Sequence, residues 1–327
     1  MNRDSILRAA SIGTPRPTKT PAGLAPGWRR CLCAALLCSV LASSHAAEIL
    51  IIQSRPGEVQ DAFVAAFGAG LKPGRSHRLR IASLSGPDPV AVAGADLVVA
   101  VGAAAARAAA TGNDAPVLAA LISQQEATTL RTQAGNRRLG AIVLDQPMLR
   151  TLRLTRLVAP GARRATALFG SENTAAESQF RLNAKRVGLI PETTRIDDEG
   201  QLGAALDRLL QSNQVLVAVP DGQIFNRNTA MSILLTSYRY RTPVIGFSEA
   251  YVRAGAIAAV FSAPDDIGRQ AAEWVNEMSD FAQLADQTRE PRYFRIAVND
   301  RVSQALGLET RDAEAIAQAI RSEERRP

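Results

Sequence analysis

From Glu48 onward the chain repeats one unit, a short run of β-branched and aliphatic residues followed by an amphipathic stretch of helical length, each pair taking roughly 25 to 40 residues. Strands separated in this way are joined by crossovers, and a crossover makes neighbouring strands parallel.

The first unit is a strand over 48–53, a turn at Ser54-Arg55-Pro56-Gly57, and a helix with Val59, Phe63, Val64 and Phe67 on one stripe. A strand over 78–84 follows the break at Lys72-Pro73-Gly74. Ala95-Asp96-Leu97-Val98-Val99-Ala100-Val101-Gly102 runs directly into an alanine-rich helix over 103–110, and 116–121 and 139–144 supply the next strands. Their continuous apolarity suits strands covered on both faces.

Gln146-Pro147 then breaks the series before a helix over 148–158. The rhythm restarts with a strand over 164–169, a loop at Gly170-Ser171-Glu172-Asn173, and a helix that closes on Gly188 as its C-cap. A helix over 201–210, strands over 215–219 and 242–247 and a helix through 231–238 complete the second series. Further on come an extended segment at 255–261, a helix over 264–281, a polar stretch to Glu290, a strand over 293–298 and a helical, charged end. Two such series predict an α/β protein of two Rossmann-like lobes with parallel sheets joined by a hinge, rather than one barrel. The expected N-terminal lobe is 47–145 with part of 255–327 returning to it, and the expected C-terminal lobe is 146–254.

Residues 1–46 read as an N-terminal extension and signal peptide. Arg29 and Arg30 precede an apolar run that ends in Ser43-Ser44-His45-Ala46, the layout of a cleavable leader cut before Ala47. The run is about a dozen residues, too short for a bilayer, which takes roughly 20. The address implied is the periplasm. Cys31, Cys33 and Cys38 all lie in that run, so the exported chain has no cysteine. Removal of 1–46 also takes six basic residues against Asp4, so the net charge of +7 falls by five and the case for nucleic acid loses its support.

The remaining chemistry is sparse. His77 is the sole histidine after the leader and sits in the polar stretch Arg75-Ser76-His77-Arg78, so Ser/His/Asp, Cys/His and histidine-rich metal sites cannot be assembled. Asp197-Asp198-Glu199 and Asp265-Asp266 read as helix starts. Gly68-Ala69-Gly70 follows a helix rather than a strand, which removes the dinucleotide fingerprint. No metal or cofactor is expected.

In open parallel sheets ligands sit beyond the carboxyl ends of the strands. Those ends place Ser54, Gly102, Ala103, Ala104, Gln124, Asp145, Ser171, Asp221 and Ser248 at a candidate binding site. Gly102 lets backbone approach a ligand, and the Ala103 and Ala104 N–H groups suit a carboxylate or phosphate; close helix–strand packing is the alternative reading. Asp221 suits a ligand amine or hydroxyl, or else a helix N-cap.

With these residues named, the chain resembles the substrate-binding proteins of ABC transporters, in the branch with the type I periplasmic-binding fold and tryptophan- or tyrosine-type ligands. The resemblance is carried by 95–102 with Ala104-Ala105, by Pro220-Asp221 and Thr242-Pro243-Val244-Ile245-Gly246, and by Val252-Arg253-Ala254-Gly255-Ala256-Ile257 leading to Asp266-Ile267-Gly268-Arg269-Gln270. Phe294-Arg295-Ile296-Ala297-Val298-Asn299 with Ala305-Leu306-Gly307-Leu308 closes it. It implies two hinged lobes closing on a small-molecule ligand such as an amino acid, with an ABC permease or a signalling receptor as partner. Two departures stand out: Ala103 replaces a common Thr or Ser, and Ser123-Gln124-Gln125 stands where many members carry Asp-Pro.

A periplasmic solute-binding protein, not an enzyme, is the function these features favour. An orphan sensory or scaffolding protein of the same fold is the alternative. An enzyme working with carboxylates alone would have to use Asp145 and Asp221.

Overall fold

The computed structural model describes residues 46–325 apart from 74–76, 86–93, 113, 136–137, 212–214, 285–286 and 310; the expected leader and the three cysteines lie outside them. The described residues form two six-stranded sheets and eleven α-helices, with two short 3-10 turns.

The first sheet holds β1 (Ala47–Gln53), β2 (His77–Ser83), β3 (Leu97–Val101), β4 (Val117–Ile122) and β5 (Leu139–Val143), in the spatial order β2-β1-β3-β4-β5 and all parallel. Helices α1 (Glu58–Gly70), α2 (Ala103–Gly112) and α3 (Gln124–Ala134) connect them. The reason for the unbroken apolar runs is visible in the packing. Ile49, Ile51, Leu97, Val99 and Val101 meet Phe63 and Phe67 on one face, while Leu50, Ile52, Val98 and Ala100 meet Ala105, Ala106 and Ala109 on the other. A strand with helices on both sides has no residue to spare for water.

The second sheet repeats the plan with α4 (Met148–Val158), β6 (Arg164–Gly170), α5 (Thr174–Arg186), β7 (Ile190–Ile196), α6 (Leu202–Leu210), β8 (Val215–Val217), α7 (Ala230–Arg239), β9 (Val244–Gly246), α8 (Glu249–Ala254) and β10 (Ala258–Phe261). Its order is β10-β9-β8-β6-β7. Gly188 caps α5 as expected, at φ +75°, with Leu189 N–H donating to Ala184 O at 2.8 Å.

The last elements are shared out between the sheets. Helix α9 (Pro264–Glu277) lies on α1 of the first lobe, so close that a Cβ on Gly70 would stand 2.8 Å from the Ala272 Cβ. Gly70 is therefore small for helix packing, beyond any role in ending α1. Strand β11 (Thr288–Arg289) pairs parallel with β5. Strand β12 (Arg295–Val298) returns to the second sheet antiparallel to β10. Helices α10 (Asp300–Ala305) and α11 (Ala313–Glu324) follow, and Ile316, Ala317 and Ile320 pack with Leu152 and Leu154 of α4.

The chain thus passes between the sheets three times: at 144–147 after β5, at 262–263 before α9, and at 290–294 between β11 and β12. Several boundaries differ from the sequence reading. Strand β7 was not anticipated, because Pro191, Glu192 and Arg195 interrupt its apolar pattern; it is an edge strand, where such residues are tolerated. β11 lies in the stretch expected to be polar coil, and α9 stops at Glu277 rather than running to 281. His77 opens β2 instead of sitting in a loop. No described helix is long and apolar enough to cross a membrane.

Candidate ligand-binding cleft

The carboxyl ends of the two sheets meet beside the first crossing segment, where Leu144 and Gln146 after β5 lie with Pro220, Phe247 and Val260 of the second sheet's strand ends around one small cavity. On the first sheet the end of β1 and the start of α2 interlock. Ser54 Oγ donates to Val101 O at 3.1 Å and accepts the Ala105 N–H at 3.0 Å. Gly102 takes φ +91°, and a Cβ there would lie 2.7 Å from Ser54 Oγ. Both readings of this glycine are therefore compatible with the geometry: it permits tight packing, and it leaves the edge as bare backbone. Ser54 satisfies one of the amides at the start of α2. The Ala103 and Ala104 N–H groups come earlier than any intrahelical acceptor can serve, and Ala104 is exposed.

One strand further on, α3 begins with a capping box: Ser123 Oγ accepts the Glu126 N–H at 3.1 Å and Glu126 Oε2 accepts the Ser123 N–H at 3.0 Å. The Gln124 N–H that follows donates to Asp145 Oδ2 at 2.7 Å. Asp145, just past β5, is half-buried, and burial is the main reason its carboxyl is pushed up to about 6. The bonds from the Gln124 amide and its own amide oppose that rise, and the charges of Glu126 and Glu290 add to it.

The second sheet presents a different surface. Asp221 is buried at 5% exposure and fully engaged within its own lobe: Oδ2 accepts the Gly170 N–H at 2.9 Å and the Asn173 Nδ2 at 3.1 Å, and Oδ1 accepts the Gln223 N–H at 3.0 Å. It ties the end of β6 to the turn after β8. Ser248 caps α8, its Oγ accepting the Tyr251 N–H at 3.2 Å. Ser171 stands exposed on the turn after β6. The acidic pairs behave as helix starts, with Asp266 accepting the Ala263 N–H at 3.0 Å and Asp198 accepting the Gln201 N–H at 3.2 Å.

What polar-residue reasoning passed over is aromatic. Phe247 lies between β9 and Ser248, its ring 5.2 Å from that of Tyr251 and 6.3 Å from that of Phe225. The signal was present, since Phe247 is itself a strand-end residue one position before Ser248. Phe247, Pro220 and Val260 meet Leu144, Gln146 and Met148 around a cavity of about 20 Å³ at the base of the cleft, room for roughly one water. Among the described residues one side-chain hydrogen bond joins the strand ends of the two sheets, at the base, where Gln146 Nε2 after β5 donates to Ser262 Oγ after β10 at 2.9 Å. Beyond that base, no helix or strand of the first lobe makes an extensive contact with one of the second among the described residues. Two larger grooves, about 550 Å³ each, lie away from the strand ends, one beside Arg153, Arg156 and Arg186, the other beside Arg292, Arg295 and Arg321.

Residues 90–316 match the model of a family described as ABC transporter substrate binding protein. A comparison with curated protein sequences gives no match. Among solved structures, the chain is similar to the ligand-free, open structure of a substrate-binding protein with adhesive properties from Clostridium difficile, at TM-score 0.62 and 19% identity, covering 82% of this chain and 97% of that one. It is similar to an ABC domain from Streptococcus pneumoniae in complex with L-Trp, at TM-score 0.56 and 18% identity over 84% and 98%. A conserved domain protein from Vibrio cholerae gives TM-score 0.56 and 16% identity over 84% and 98%.

Proposed function

The chain belongs to the ABC transporter substrate-binding protein family, whose members hold solutes rather than transform them, and on that premise we propose that it is an exported receptor for a small amphipathic metabolite of the amino-acid class. The observation that supports this most is the pairing of unlike strand ends across an open cleft. One edge offers backbone donors at Ala103 and Ala104 and, two strands away, an acceptor in Asp145. Two strand spacings are roughly 10 Å and a hydrogen bond reaches about 3 Å from each end, so a solute bridging both carries an anionic group and a cationic or donor group about 4 Å or more apart, within the reach of an amino acid. The facing edge offers Phe247 and Pro220, suited to an apolar or aromatic body.

Binding works by population shift. A solute seated on the first edge gains contacts with the second only when the lobes close, so it stabilises the closed state by that difference alone. The closed form is then the one a permease accepts. Thermal-shift and calorimetric titration against a panel of amino acids and related metabolites, L-Trp included, test the reading. Saturable binding accompanied by compaction in small-angle scattering is the expected result; a panel with no stabilising compound counts against it.

A sensory or scaffolding role without transport is favoured by one observation: the hydrogen-bonding groups of Ser54, Asp221 and Ser248 are already used inside the fold. Co-purification with a permease separates the two readings.

A further inference from the structure

A buried arginine at the hinge belongs to no strand end and contributes nothing to the cleft surface. Arg150, on the first turn of α4, is 5% exposed. An arginine so placed needs its N–H groups satisfied and its charge met, or the desolvation cost would unfold the site. Its Nη1 donates to Gln146 Oε1 at 2.8 Å and to Pro291 O at 2.8 Å, while Nε and Nη2 grip the two carboxylate oxygens of Glu324 at 2.7 and 3.1 Å. The guanidinium also lies 4.3 Å from the ring centroid of Phe294.

The acceptors are distributed in a telling way. Gln146 is on the first crossing segment and Pro291 on the third. Gln146 Nε2 donates to Ser262 Oγ on the second crossing at 2.9 Å, and Ser262 Oγ donates to Tyr293 O on the third. Arg150 and Glu324 ride on α4 and α11, which share one apolar core of the second lobe. One guanidinium therefore fastens all three crossings to the second lobe, two of them directly and one through Gln146. All of these bonds are made while, among the described residues, no helix of one lobe packs extensively on a helix of the other across the cleft.

We propose that the Arg150–Glu324 pair is a pin that sets the angle between the lobes and favours the open arrangement, so that the end of α11 governs ligand affinity without touching ligand. Hinge bending concentrates torsional change in a few residues at element ends, and the three crossings are those residues. Closing moves Gln146 and Pro291 relative to the guanidinium, so loosening the pin lowers the cost of closing. The affinity consequence rests on the binding-protein reading above; the geometric consequence does not.

The test uses the full chain with Cys31, Cys33 and Cys38 replaced by Ser and spin labels at Thr129→Cys on α3 and Ser178→Cys on α5, both exposed. Glu324→Gln keeps the shape of the partner and removes its charge. Ligand-free Glu324→Gln is expected to show a label-to-label distance distribution shifted toward shorter values, and any ligand found for the parent is expected to bind about 3- to 10-fold more tightly, the size of a modest change in the population of the closed state. Arg150→Lys, which keeps the charge but not the fork, is expected to shift the distribution in the same direction. An unchanged distribution, or one shifted to longer distances, in folded Glu324→Gln overturns the proposal. Because the distance is read without ligand, a protein that binds nothing in the panel still decides it.

Discussion

Asp221 on the turn after β8 accepts the backbone N–H of Gly170 at the end of β6, at 2.9 Å and in full burial. The bond spans adjacent strands and fixes where both turns leave the sheet. Gly170 must lack a side chain for it, since a Cβ there would lie 3.2 Å from Asp221 Oδ2 and collide with the Gln223 amide.

Asp221→Asn is therefore expected to destabilise the protein by about 1–3 kcal/mol. Three N–H donors converge on the carboxylate, and an amide can turn only its oxygen toward them, leaving at least one buried donor unpaired. Urea denaturation reads the loss as a lower midpoint at unchanged slope. A variant as stable as the parent would mean that water reaches the site.

Ser54 and Gly102 form a second coupled pair. Gly102→Ala introduces both a left-handed backbone strain and a 2.7 Å contact with Ser54 Oγ, together expected to cost about 1–3 kcal/mol. Ser54→Ala alone frees the Ala105 N–H and costs about 1 kcal/mol. In the double variant the oxygen that collides is gone, so the sum of the single costs should exceed the measured total by about 0.5 kcal/mol or more. Additive costs would show that backbone strain at Gly102 is the whole effect.

These cases mark how much was legible in advance. The alternation of apolar runs and amphipathic stretches disclosed two parallel sheets, because residues such as Val98 and Val99 face opposite cores and both must be apolar. β7 and β11 were not legible: an edge strand carrying Pro191 and a two-residue strand of Thr288 and Arg289 take their structure from a neighbour rather than from their own pattern. At the cleft, Asp145, Gly102 and Asp221 do follow the ends of β5, β3 and β8, as the apolar runs before them implied. Strand-end position did not distinguish a side chain offered to a ligand from one consumed by the fold, as Asp221 and Ser248 are. Nor did it find Arg150, whose partners Gln146, Pro291 and Glu324 are brought together only by the return of the chain after β11.

Tyr251 gives a prediction of the opposite sign. Its ring packs against Phe247 and Phe225 and its hydroxyl is buried with no hydrogen-bond partner among the described residues, and burial alone holds the phenol above its ordinary range. Tyr251→Phe keeps the ring and removes the unsatisfied group, so stability is expected to be unchanged or to rise by up to about 1 kcal/mol. A loss of stability in thermal melts would reveal a partner for that hydroxyl.

Asp145 joins stability and binding with opposite demands. Its carboxyl is raised to about 6 from an ordinary 3.8, chiefly by burial, so the folded state holds the proton more tightly than the unfolded chain does. The group's effect on stability is therefore most favourable below about pH 4 and is lost as pH rises through 6. Asp145→Asn retains an acceptor for the Gln124 N–H and is expected to be more stable than the parent at pH 7.5, by about 1–2 kcal/mol after allowance for partial solvent contact, with the gain vanishing near pH 4. Binding should run the other way. A solute ammonium that needs the ionised carboxylate binds about tenfold more weakly at pH 5 than at pH 7, because the free carboxyl is then mostly protonated. Asp145→Asn should flatten that profile at the weak level. Calorimetric titration across this range, paired with thermal melts of both proteins, separates the two effects: a parent affinity independent of pH would remove Asp145 from the ligand contacts while leaving the stability prediction standing.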